Sequence, residues 1–164
     1  MIYSIKQEHL DEYMPKVKGV TYHPFVYEHL NNFKGLSDDT AFQVPQSDRK
    51  RRVVYQSQCG PCVTAMLHRN PVAIFGTVVI WEGLGEAWSL FSEKARRYPI
   101  AMTKGANTFF DICEILFSLH RIQITVRSTD KRAVSWARCL GFQSEGLLKE
   151  YSTDKTDYYI MRRT

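Results

Sequence analysis

A chain of 164 residues, 44% hydrophobic and 24% charged, can bury its own core without disulfides or metal and is too apolar to be expected disordered. Its 22 basic and 17 acidic residues leave +5, a mild bias toward an anionic partner such as a nucleotide-bearing cofactor, and nucleic acid is not the expected ligand. Cys59, Cys62, Cys113 and Cys139 make no disulfide scaffold, "MIYSIKQEHL" has no apolar signal core, and the longest apolar run, 72–81, is half a membrane span. The expectation is a cytoplasmic chain with no membrane segment.

In chain order, "IYSIKQ" reads as a strand and "EHLDEYMPKV" starts a helix that stops before Pro15. "PFVYEHLNNF" has apolar residues at helical spacing, with Gly35 as a stop. Residues 36–52 read as a loop carrying Arg49-Lys50-Arg51-Arg52, either solvated surface or a phosphate contact. From Val63 the pattern sharpens. "VTAML", "VAIFGTVVIW" and "EAWSLFSE" are strands separated by the turns "HRNP" and "EGLG", an antiparallel meander.

The second half of "KARRYPIAMTKGANTFFDICEILFSLH" is an amphipathic helix with Phe109, Ile112, Cys113, Leu116 and Leu119 on one face. "RIQITVR" alternates strictly and is a strand. Asp130 can cap a helix in which Ala133, Trp136, Ala137 and Leu140 recur at helical spacing, and Gly141 ends it. "EGLLKEYS" and "DYYIMRR" close the chain as a hairpin. A helix between the meander and a further strand implies a parallel pair inside a mixed sheet.

Cys59-Gly60-Pro61-Cys62 has the spelling of a thiol–disulfide centre. In such a centre the second cysteine lies in a helix whose dipole lowers the thiolate pKa. Here Cys62 leads into "VTAML", which is strand chemistry, and no suitable strand precedes it. The pair reads as loop cysteines beside a Gly-Pro turn. No second ligand pair supports zinc.

Residues 121–161, with "WARCLGFQSEG" inside them, resemble the C-terminal half of the GNAT superfamily of acyl-CoA N-acyltransferases. The likeness lies in a strand, a capped helix with Ala133, then Leu140-Gly141-Phe142, Glu145-Gly146 and a hairpin. The spelling is most similar to the ribosomal-protein N-terminal acetyltransferase branch. "CVTAMLHRNPVAIFG", residues 62–76, resembles the meander of the small GNAT-like internal virion proteins of short-tailed bacteriophages. The likeness implies one α/β domain over 1–164, assigned weakly over 1–61. Its mixed, mostly antiparallel central sheet would have six to seven strands flanked by helices.

The resemblance also implies acetyl-CoA as the acyl donor and an amine of a protein or small molecule as acceptor. The superfamily holds pyrophosphate on a glycine-rich loop at a helix N-terminus. This chain has "EKARRYPIAMTKGA" there, with Pro99 removing an amide donor and Gly105 as its one glycine. Arg96, Arg97 and Lys104 either replace the glycine cradle with charge or form a solvated basic loop. Asp130 stands where the family commonly has an Asn facing the pantetheine. Ala137 stands where many members have a Tyr that protonates the thiolate. Glu86 is the candidate general base, acting through water, or else an exposed turn residue. Trp88 and Trp136 read as core. The alternative function is a degenerate GNAT fold kept as a bacteriophage binding or virion-associated protein, with a phage or host protein as partner.

Overall fold

The computed structural model describes residues 3–31, 33 and 46–164, with side chains from residue 50 onward in the last stretch. Helix α1 (Gln7–Tyr13) precedes strand β1 (Val20–Pro24) and a 3-10 turn at Tyr27–Leu30. Helix α2 (Gln46–Gln58) leads into the meander of β2 (Cys62–Leu67), β3 (Asn70–Trp81) and β4 (Leu84–Phe91). Then come α3 (Pro99–Leu116), β5 (Arg121–Arg127), α4 (Lys131–Cys139), β6 (Phe142–Leu148) and β7 (Tyr158–Arg163).

The strands form one seven-stranded sheet in the order β1-β2-β3-β4-β5-β7-β6. Pairing is antiparallel throughout except between β4 and β5, which α3 connects as a crossover. The β2–β3 hairpin turns on His68 and Arg69, both at positive φ (49° and 69°). That backbone matches the right-handed twist of the strands it joins.

The two faces of the sheet are covered differently. Leu10 of α1 and Met14 just after it, Phe109, Phe110 and Cys113 of α3, and Ala137 of α4 pack with Val63, Ala73, Phe75 and Ile122 on one face. Val53 of α2 and Leu30 of the 3-10 turn pack with Cys62, Ile74 and Leu90 on the other. Alternation along β4 therefore sends Ala87 and Phe91 toward α3, and Trp88 and Leu90 toward α2.

The meander, the parallel pair, β5, the α4 cap and the closing hairpin match the sequence reading. In the first third the helix ahead of Pro15 is present as α1, and the remainder differs. Residues 4–6 form no strand, and the sheet instead begins at β1. The helical spacing over 24–33 yields one 3-10 turn, because β1 runs to Pro24 and uses up its start. The basic run lies in α2 rather than in a loop. Gly35 and residues 36–45 lie outside the described residues.

Candidate active site

The parallel ladder between β4 and β5 is short. Leu84 faces Arg121, Gly85 faces Ile122 and Glu86 faces Gln123, and there it stops. Beyond that point β4 stays zipped to β3 as far as Phe91 opposite Ala73. β5 stays zipped to β7 as far as Arg127 opposite Tyr158. Residues 87–91 and 124–127 thus belong to two diverging arms, each with one edge free of a strand partner among the described residues. Such an edge carries alternate N–H and C=O groups able to bind an extended amide chain. Ser89 is exposed in the middle of this central strand, between buried Ala87 and Leu90.

Glu86 is the last β4 residue before the divergence and is half-buried. Its side chain points to the α2 face, where α2 brings up the half-buried Arg52. Burial holds the Arg52 guanidinium below its ordinary pKa, while Tyr151 of the β6–β7 connection and Glu86 pull it back up. The apex thus combines one carboxylate, one cation and one phenol drawn from three separate elements. Arg52 and Tyr151 carried no signal in the sequence, since nothing in a polar helix or a hairpin loop points at a distant strand.

The β4–α3 connection places Arg96 and Arg97 in a 3-10 turn, exposed with Lys94 at the mouth of α3. The backbone donors of residues 95–98 are already used. Ala95 N–H donates to Ser92 O at 3.2 Å, Arg96 to Glu93 at 3.2 Å, Arg97 to Lys94 at 3.2 Å and Tyr98 to Ala95 at 3.0 Å. Pro99 opens α3 without an N–H. What this loop offers an anion is side-chain charge rather than a cradle of amides.

Gly105 is not at the helix mouth. It is the seventh residue of α3, counting from Pro99, and is buried. A Cβ there would lie 2.7 Å from the Tyr22 hydroxyl oxygen, so close packing of α3 over β1 accounts for this glycine. Lys104, the residue before it, is exposed. Asp130 caps α4, its Oδ1 accepting from Ala133 N–H at 3.0 Å. Ala137 is buried and has no proton to give.

Cys62 opens β2, buried, and burial pushes its thiol pKa well above the usual range. A thiol held in that state is a poor nucleophile, which is the opposite of a redox centre. Gly60 is a glycine because a Cβ there would run into the Thr77 carbonyl oxygen. The Cys-Gly-Pro-Cys spelling is the close approach of a chain segment to β3.

No protein-family model matches the chain, and no curated protein matches it in sequence. Solved structures match its shape. A GNAT-family acetyltransferase from Bacillus anthracis superposes with a TM-score of 0.71 at 16% identity, over 90% of this chain and 95% of that one. A ribosomal-protein-alanine acetyltransferase from Vibrio fischeri gives 0.65 at 14%, over 91% and 94%. The ribosomal-protein α-N-acetyltransferase RimL gives 0.73 at 12%, over 92% of each chain. At such identities the likeness establishes the fold: an α/β, GNAT-like domain built on a mixed, mostly antiparallel sheet. Among the described residues no helix is long and apolar enough to cross a membrane.

Proposed function

We propose that this chain is an N-acyltransferase that takes an acetyl group from acetyl-CoA and passes it to an amine of a protein or small molecule. The observation that carries the reading is the divergence of β4 from β5 immediately after Glu86 and Gln123. The free edge over 87–91 suits the amide-bearing pantetheine arm, and Arg96, Arg97 and Lys104 supply charge for the diphosphate. Asp130, at the N-terminus of α4, faces the arm with the carboxylate oxygen its cap leaves over. When bound, acetyl-CoA supplies an activated thioester carbonyl.

Glu86 accepts the acceptor's ammonium proton through a water, leaving the amine free to attack. Arg52, close enough to Glu86 to feel its charge, places a cation beside that carboxylate. Since Ala137 offers no acid, proton return falls to water or to Glu86 itself.

The test is acetyl transfer to a panel of amines and N-terminal peptides, with Glu86→Gln as the variant. The expected result is a loss of kcat of about 100-fold or more with acetyl-CoA affinity retained. An unchanged kcat would remove Glu86 from the role of base.

A second reading has its own support in the internally bonded amides of Ala95, Arg96, Arg97 and Tyr98. A fold that has lost its phosphate cradle suits a binding component, including one of bacteriophage or virion origin. Absence of calorimetric heat with acetyl-CoA at about 1 mM, the top of the usual substrate range, would favour it over catalysis.

A further inference from the structure

The wide end of the slot between β4 and β5 is spanned by one side chain. Trp136 belongs to α4, the helix that follows β5, yet its indole stands edge-on to Phe91, the last residue of β4. The ring centroids are 4.9 Å apart and the planes meet at 87°. Its Nε1–H donates to Thr103 Oγ1 of α3 at 3.0 Å. The Thr103 hydroxyl in turn donates to the Pro99 carbonyl in the first turn of α3, at 2.7 Å. Phe91 is held from behind by Phe75, with centroids 5.8 Å apart. One indole therefore ties the β4 arm, the first turns of α3 and the β5–α4 arm together where the two strands stand furthest apart.

This tie is built to open. Trp136 is half-buried, whereas the α4 side chains that anchor the helix in the core are the fully packed Val134 and Ala137. Beside its packing at the edge of the core, it is held by one ring-edge contact and one hydrogen bond, both individually weak. A thin arm reaching the apex at Glu86 from the Arg96–Arg97 loop has to pass between Phe91 and the α4 side, the place the indole fills.

We propose that Trp136 is the residue that decides entry to the slot: the pantetheine arm binds only when the indole has swung off Phe91 and released Thr103. The inference rests on the acetyl-CoA reading. A closed majority taxes affinity by the fraction that is open, so removing the closure raises affinity without adding a contact.

The experiment is calorimetric titration of the whole chain with acetyl-CoA, comparing wild type, Trp136→Ala and Thr103→Val. Trp136→Ala should bind about tenfold more tightly. Thr103→Val keeps the shape of residue 103 and removes its hydroxyl, and with it both the indole's acceptor and the bond to the Pro99 carbonyl; it should bind severalfold more tightly. Circular dichroism establishes that each variant is folded, and Thr103→Val carries the test if Trp136→Ala is not. Binding by all three with equal affinity, or weaker binding by the folded variants, overturns the role of Trp136 and leaves the acetyl-CoA reading standing. No binding by any of the three overturns both.

Discussion

Tyr22 and Gly105 form a contact whose energetics can be separated by substitution. The Tyr22 hydroxyl is buried and has no hydrogen-bond partner among the described residues, and burial raises its pKa to about 12. Removing an unsatisfied buried group is neutral or favourable, so Tyr22→Phe should leave stability unchanged or raise it by up to about 1 kcal/mol. Gly105→Ala puts a methyl 2.7 Å from that oxygen and should cost about 1 kcal/mol or more, against the helix propensity that alanine gains. Combined with Tyr22→Phe, the same change should cost less or become stabilising. Urea denaturation of wild type, the two single variants and the double variant measures the coupling. A glycine after a lysine in a basic stretch looks like a phosphate glycine in one dimension; only the position of β1 over α3 reveals the tyrosine it accommodates.

His29 brings a pH dependence. Its Nδ1 accepts from Val26 N–H at 3.2 Å and lies 2.7 Å from the Thr64 hydroxyl, which is fully buried. Burial, with His23 adding to it and Glu28 opposing, lowers the His29 pKa from 6.5. Below pH 6.5 the unfolded chain binds a proton that the folded chain resists, so stability is lost as pH falls from there toward the depressed folded value. His29→Asn keeps an acceptor and cannot titrate. Its stability should stay flatter between pH 7 and 5 than that of wild type, as measured by thermal melts; parallel curves would contradict the assignment.

Among the elements, the C-terminal strand is secured by one residue. The Arg163 side chain is only 10% exposed and pairs with Asp111 at 2.8 Å and Glu114 at 2.9 Å. It also donates to the Asn107 and Leu140 carbonyls and stacks over Phe110. Because both carboxylates are partly exposed, the loss from Arg163→Met is set by hydrogen bonds and packing, about 2 kcal/mol. Chemical denaturation checks it, and a change within a few tenths of a kcal/mol would show that β7 is held by its neighbours alone.

Legibility among the elements followed periodicity. α4 and β5 repeat their apolar residues at 3.6 and 2.0, so both were readable to within a residue or two. α2 offers only Val53, Val54 and Tyr55 in a row within a polar stretch, and no amphipathic pattern survives to announce it. The most readable motif, Leu140-Gly141-Phe142, is structural. Gly141 takes φ +86° at the end of α4, and Phe142 packs edge-on against Phe110. Glu145 of the following Glu-Gly pair sits at the register shift of β6 and pairs with Arg121. These residues identify an architecture; they carry no chemistry, which is why a strong likeness there left the site open.

At the scale of the molecule, the proposed function rests on a sheet that comes apart along one seam. The parallel pair could be foreseen, because a helix had to cross between β4 and β5. Where the ladder stops could not. "RIQITVR" alternates in the same way whether its neighbour is bonded along its whole length or along its first three residues. Glu86 is readable at the seam because it opens a strand; that Arg52 lies within reach of both Glu86 and Tyr151 follows only from the fold, which brings α2 and the β6–β7 connection to it.

The most direct measurement is amide hydrogen–deuterium exchange with and without acetyl-CoA at about 1 mM. Added acetyl-CoA should slow exchange within residues 87–91 and 124–127, the two free edges, and leave the β2–β3 ladder unchanged. Unchanged exchange in both segments at saturation, or protection confined to the outer surface, would mean that no amide-bearing arm lies between β4 and β5.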